Sequence, residues 1–470
     1  MVCTAEAAAQ TVPSVVDPKL EVREVKTGFT QPIGVAFLND DDYFVIEKGS
    51  GKVKLVRGDA APVDVLDLAV NSASERGLLG ITLDKFFRHN GFVYLYWTRS
   101  STGADSTVVT EVETNANRLE RYKWDGTTLT FDKALLTMRA FQQDGTSNPR
   151  GNHNGGPIRT GPDGKIYLIA GDTGRRGQMQ NLVDGPFVYP FPMDAFRGEI
   201  GDDQFGGPDP DARHLTGVIL RLNTDGSSPK DNPFYKEGAE RGGSVGAGLK
   251  KLYAYGIRNS FGMAFDPFSG DLWEQENGDD SFSEINRVES GFNSGWVQVM
   301  GPLERVAEFR AIETSPQFNG LQQARWAPEN IAATPREAAE RLFRLPGSRF
   351  SDPEMAWRYE IAPGGIEFLS TRELGRDYKG DLFVGSATQN LRGGHIFRLD
   401  IKNNRREVEV DDRRLRDRVA DNNAKYDITE SESLLFGENF GVTPDLQESP
   451  DDTLWVVSLS KGTIFEIRDR

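Results

Sequence analysis

A short phrase returns six times along this chain: a Gly-anchored apolar strand, a Pro/Asp/Gly turn and a Leu-Tyr or Trp-Val strand, often closed by a Gly-x-Ile-x-x-Leu strand. The copies are GVAF with DYFVIEKGSGKVKLV (34–56), GLLGITL with GFVYLYWT (77–98), and GGPIRTGPDGKIYLIAGDTG (155–174) closed by GVILRL (217–222). They continue as GMAFDPFSGDLW (262–273) with EINRV (284–288), then GGIEF, GDLFVGSA and GGHIFRL (364–399), and finally DLQESPDDTLWVVSLSKGTIFEI (445–467). One such unit cannot bury both of its faces, so the copies must stack on one another. Short strands at even spacing, with a turn in every copy, predict an all-β fold: a six-bladed β-propeller of four-stranded antiparallel blades with loop insertions. A functional site in such a ring is assembled on the axis from residues far apart in sequence.

The repeats set the domain organisation. A length of 470 residues alone would suggest about three domains, but stacked repeats give a single propeller spanning 19–470. Residues 1–18 read as a disordered segment, resembling the remnant of a removed export signal. LEVREVKTGF (20–29) alternates apolar and charged residues and is expected to pair with the last repeat, removing two exposed sheet edges. Thr334-Pro335-Arg336-Glu337 is a capping box that predicts the one short helix. The aromatic-rich insert 175–213 is expected to lie as a lid over the mouth, and the charge-dense 403–433 to form solvated turns.

Composition narrows the partners. A net charge of −16 argues against nucleic acid or an anionic membrane surface, both of which call for basic patches. No apolar run approaches the ~20 residues of a membrane span. Cys3 is the only cysteine, so neither an intrachain disulfide nor a multi-cysteine metal site can form, and no haem attachment motif is present.

Polar residues just ahead of a blade's first strand have no packing purpose, and these are the candidates for chemistry. His153, in Asn152-His153-Asn154-Gly155-Gly156, is one of four histidines and can serve as a general base or simply cap a turn. Asp172, in Gly171-Asp172-Thr173-Gly174, can fix an imidazole's tautomer or can be a plain turn residue. Arg258 and Asn259 offer a fork of donors beside an amide, suited to a carboxylate or an oxyanion. The turn Glu276-Asn277-Gly278-Asp279-Asp280 crowds carbonyls and carboxylates as a hard cation such as Ca²⁺ requires. Arg392, beside Asn390, places a cation in the corresponding turn of the fifth copy.

HNGG…GPDGKIYLIAGDTG, YGIRNSFGMAFDP and ENGDDSFSEINRVESGFNSGW resemble the glucose/sorbosone dehydrogenases, soluble quinone-dependent sugar dehydrogenases on six-bladed propellers. The resemblance runs from about residue 28 to the C-terminus. It implies a periplasmic or secreted oxidoreductase that oxidises an aldose sugar or related alcohol with pyrroloquinoline quinone (PQQ) and Ca²⁺, passing electrons to a separate acceptor. By the same resemblance His153 is the base, Asp172 its carboxylate neighbour and Arg258 a polarising group. Asn259, Asn390 and Arg392 contact the cofactor, as does Glu75, where the best-known members carry glutamine. The backbone oxygens of Gly278 and Asp279 would hold the calcium. One departure stands out. The glucose-oxidising members carry two arginines ahead of the last blade, whereas here the stretch Asn439 to Asp445 holds no basic residue. Losing two charge-assisted hydrogen bonds, at about 1.5–3 kcal/mol each, would weaken cofactor binding. Two alternatives therefore stay open: a redox-inactive propeller that binds a glycan or protein, and a calcium-dependent lactonase-type hydrolase.

Overall fold

The burial of the second strand in each copy shows why the repeats become stacked sheets. Asp42–Glu47, Phe92–Thr98, Ile166–Ala170, Leu382–Ser386 and Leu454–Ser458 are mostly apolar and buried almost throughout. A strand covered on both faces needs a neighbouring sheet on each side. Leu272–Glu276 is buried equally deeply although it carries Glu274, Gln275 and Glu276. The computed structural model describes residues 12–141, 151–174, 215–318, 331–389, 391 and 393–470.

The strands form six hydrogen-bonded sheets in an all-β propeller arrangement. Five of them take their core strands from one continuous stretch of chain each: 32–67, 78–138, 158–255, 262–359 and 363–438. The sixth is composite. Asp445–Glu448, Leu454–Ser458 and Thr463–Asp469 are completed by Leu20–Thr27 from the other end of the chain, antiparallel, with Leu20 opposite Asp469. The expectation of equivalent four-stranded antiparallel blades is corrected. The third sheet gains Phe292–Asn293 and Arg349–Phe350, and the fourth gains Val419–Ala420, all in parallel pairing. The fifth gains Ser14–Val15 and Val408–Glu409. The disorder expected over 1–18 is corrected at Ser14 and Val15, which pair with Glu438 and Gly437, while residues 1–11 lie outside the described residues.

An apolar cluster fills each seam between sheets, for example Phe44, Ile46 and Val53 against Val93, Leu95 and Trp97. The composite sheet packs Trp455 and Val457 on Tyr43 and Val45 of the first. The repeated inner-strand glycine follows from crowding near the axis. A Cβ on Gly80 would lie 2.2 Å from the Gly156 carbonyl oxygen, and one on Gly262 would lie 2.3 Å from that of Gly364.

The capping box forms as expected: Thr334 Oγ1 accepts from the Glu337 N–H, and Pro335–Arg341 is helical. It is not the only helix. Tyr235–Arg241, Gly243–Leu249 and Val306–Glu313 are helical too. Val306–Glu313 buries Val306 and Phe309 against Trp296 and Val299, a layer roofing the fourth sheet. The segment 403–433 is also corrected: Val408, Leu415 and Asn422 are fully buried. The insert 175–213 lies outside the described residues.

Candidate active site

In an antiparallel sheet the approach to the first strand and the turn joining the second to the third lie at the same end. That connectivity brings Glu75, His153, Asp172, Arg258, Asn259 and the turn 277–280 together. His153 sits in the left-handed region at φ 55°, a conformation rare for a residue with a side chain. It is held there from two sides. Its N–H donates to Glu75 Oε2 at 2.6 Å, and its carbonyl accepts the Thr173 N–H at 3.0 Å.

The imidazole Nδ1 lies 2.6 Å from Asp172 Oδ1, and both residues are buried. Asp172 Oδ1 also accepts the Gly174 N–H at 2.8 Å, and Oδ2 accepts the Trp296 indole N–H at 2.8 Å. Burial alone would raise the Asp172 pKa. The His153 ring, the Arg258 charge and the indole outweigh it and hold the carboxyl down at about 2. An ionised acceptor at Nδ1 keeps the proton on that nitrogen and leaves the lone pair on Nε2.

Arg258 stands over the Trp296 ring, 5.4 Å from its centroid. Its two terminal nitrogens donate to the Asn277 carbonyl at 2.8 Å and to Asp279 Oδ1 at 2.5 Å. Asn259 ties the assembly together, donating to Glu75 Oε2 at 3.2 Å and accepting the Gly155 N–H at 3.1 Å. Asp279, Asp280 and Glu313 present carboxylate oxygens within 4.8 Å of one another. Burial first, and then Asp279, pushes the Glu313 carboxyl up to about 8, so it carries a proton at neutral pH.

Along the axis runs a cavity of about 270 Å³ bordered by inner-strand residues of the sheets, including Gly34, Gly80, Gly156 and Gly364. Glu75 and Asn277 border it. His153, Asp172, Arg258 and Asn259 are buried and are not among its bordering residues. Its basic residues are Lys48 and Arg159, and Arg159 donates to Asp445 Oδ1 at 2.7 Å. A guanidinium from the third sheet thus reaches the stretch that holds no basic residue of its own.

Asn390 and Arg392 lie outside the described residues. Three participants escaped sequence reasoning. Trp296 stands at the end of a quoted motif but looked like core; Glu313 sits in a helix that was not foreseen; Lys425 lies in the segment read as solvated. The Lys425 ammonium reaches Asp280 Oδ1 at 2.6 Å and the Asp279 carbonyl at 3.0 Å.

The Glucose / Sorbosone dehydrogenase profile matches residues 29–185 and 197–331. The chain belongs to the glucose/sorbosone dehydrogenase family. Quinoprotein glucose dehydrogenase B of Acinetobacter calcoaceticus is 27% identical over 281 residues, covering 59% of this chain and 52% of the relative. Aldose sugar dehydrogenase YliI of Escherichia coli is 26% identical over 281 residues, covering 59% of this chain and 62% of the relative. These alignments thus span less than two thirds of either relative. The PQQ-bound aldose sugar dehydrogenase of Streptomyces coelicolor shares the fold, with a TM-score of 0.57 at 20% identity over 98% of this chain and 100% of that one. Among the described residues, no helix is long and apolar enough to cross a membrane.

The donor set fits the quinone better than the metal that the family resemblance implies. Arg258 Nε and Asn277 Oδ1 are buried without a partner, leaving a donor and an acceptor for a polar, planar guest. The turn assigned to calcium by the resemblance has several of its oxygens engaged already. The Asp279 carbonyl already accepts from Lys425, and the Asn277 carbonyl and the Asp279 carboxylate already accept from Arg258.

Proposed function

We propose that this protein is a PQQ-dependent dehydrogenase of aldose sugars or related alcohols, acting in the periplasm or outside the cell and handing electrons to a separate acceptor. The observation that carries this reading is the buried His153–Asp172 pair, fixed by Trp296 on one side and Glu75 on the other. PQQ, when bound, supplies the two-electron acceptor for the hydride leaving the substrate carbon. The protein's own residues do the rest. Nε2 of His153 takes the hydroxyl proton, and Asp172 stabilises the imidazolium that results. Arg258 lies where negative charge would develop and cannot lose its proton. Glu75, Asn259, Asn390 and Arg392 are assigned to hold the cofactor, with Lys48 and Arg159 as the cations nearest the axis.

The resemblance also supports the periplasmic or secreted location. A glycan- or protein-binding propeller without redox function is favoured by one observation, the engagement of Arg159 by Asp445 in place of a free arginine pair. A lactonase would need amides converging on a central ion. Here Asn152 Oδ1 accepts from the Ser74 hydroxyl and Asn259 Oδ1 accepts the Gly155 N–H, so of these three amides Asn277 alone keeps an oxygen without a partner.

The test is reconstitution with PQQ, with and without Ca²⁺, followed by dye-linked oxidation of a sugar panel. Turnover that His153→Ala abolishes supports the dehydrogenase. No quinone binding together with retained sugar affinity in calorimetry supports the binding propeller and removes the oxidoreductase.

A further inference from the structure

We propose that the ammonium of Lys425 is the resident cation of the acidic turn 277–280, and that this site operates without a bound divalent metal. The consequence for catalysis rests on the dehydrogenase reading; the occupancy of the turn does not.

Four oxygens of the turn already accept from cations, while Asn277 Oδ1 has no partner. Lys425 Nζ donates to the Asp279 carbonyl at 3.0 Å and to Asp280 Oδ1 at 2.6 Å. The Arg258 guanidinium takes Asp279 Oδ1 at 2.5 Å and the Asn277 carbonyl at 2.8 Å. A calcium ion gathers about 6–8 oxygens at roughly 2.3–2.6 Å. An ion bound through the Asp279 carbonyl would compete with the ammonium for that oxygen. The Asp279–Arg258 pair is almost wholly buried, and Lys425 pairs with Asp280 beside it.

Lys425 is also delivered by a fixed support. Asn422, fully buried, accepts the Tyr359 N–H at 2.7 Å and donates back to the Tyr359 carbonyl at 3.1 Å. The Tyr426 N–H donates to the Glu360 carbonyl at 2.8 Å, and the Glu360 N–H donates to the Asp280 carbonyl at 3.1 Å. The lysine is thus flanked by residues anchored to the strand Met355–Tyr359 and the residue after it, in the same sheet as Ser281–Val288. The Lys425 side chain is 25% exposed, so its pairing with Asp280 is less screened than that of a surface lysine.

The experiment is a calcium titration of chelator-stripped full-length protein by calorimetry, repeated on Lys425→Met, Lys425→Arg and Lys425→Met/Asp280→Asn. The wild type and Lys425→Arg are expected to show no saturable site below about 1 mM, the weak end of natural calcium sites. Lys425→Met should gain one site at least tenfold tighter than that limit, and adding Asp280→Asn should abolish it. The proposal is overturned if the wild type binds one equivalent of calcium that Asp280→Asn removes, or if Lys425→Met gains no site while its melting curve shows it folded. If no sugar is oxidised with PQQ, the dehydrogenase reading fails while this titration still decides the cation. If activity is found, it should survive chelation in the wild type and require calcium in Lys425→Met.

Discussion

Replacing Asp172 by asparagine tests the His153 arrangement, because the two carboxylate oxygens have different partners. Oδ1 accepts from His153 Nδ1 and the Gly174 N–H, whereas Oδ2 accepts from the Trp296 indole. An amide placed with its nitrogen at the first position meets the Gly174 donor and gives its own hydrogen to Nδ1. That flips the imidazole tautomer and removes the lone pair from Nε2. Placed the other way, the nitrogen meets the indole N–H. Either orientation strands a buried donor, at about 1–3 kcal/mol. Losing the oriented base should lower turnover by roughly 10²–10⁴. Adding Trp296→Phe removes the conflict at the second position, so the amide oxygen can return to His153 and restore the tautomer. The double variant should therefore oxidise sugar faster than Asp172→Asn alone, and its stability loss should be smaller than the two single losses combined. Dye-linked kinetics with PQQ and denaturant melts read both quantities. A double variant that is slower than the single one, with additive stability losses, would refute the assignment of Trp296 as a positioning group.

Two further outcomes follow from the packing. Gly80→Ala would put a methyl group 2.2 Å from the Gly156 carbonyl oxygen, so thermal melts should show a loss of at least about 1–3 kcal/mol, as overpacking costs; an unchanged midpoint would mean the inner strands are free to spread. Burial raises the carboxyls of Glu274, to about 8, and Glu284, to about 7, and with neighbouring carboxyls it also raises Glu276. Groups raised on folding stabilise the protein below the free carboxyl range, about pH 4.3, and that stability is lost as pH climbs through 7 to 8. Denaturant midpoints should fall between pH 5 and 8, and Glu274→Gln should flatten the decline; a midpoint rising over that window contradicts the burial argument.

The stacked sheets were legible because strands buried on both faces leave long apolar runs, and because inner glycines recur where carbonyls crowd the axis. His153, Asp172, Arg258 and Asn259 were legible as polar residues placed where packing gives them no use and Glu75 through the family resemblance, and the structure links all five by hydrogen bonds. What was hidden shares a physical cause. Tyr235–Leu249 is glycine-rich and weak in helix propensity, so tertiary packing rather than local preference makes its two helices. Trp296 resembled any core aromatic, since sequence does not show where an indole N–H points. Lys425 sat in a run of charges that ordinarily faces solvent, and only the fold reveals that Asn422 bolts that run to Tyr359.

The pairing of Leu20–Thr27 with Thr463–Asp469 has a consequence for biogenesis. Until Thr463–Asp469 leaves the ribosome, the nascent chain carries two raw β-edges and bare apolar flanks that would later cover Val45 and Phe383. Such an intermediate is prone to aggregation and attractive to holdase chaperones. A truncation of even the terminal strand should therefore impair yield far more than its length suggests.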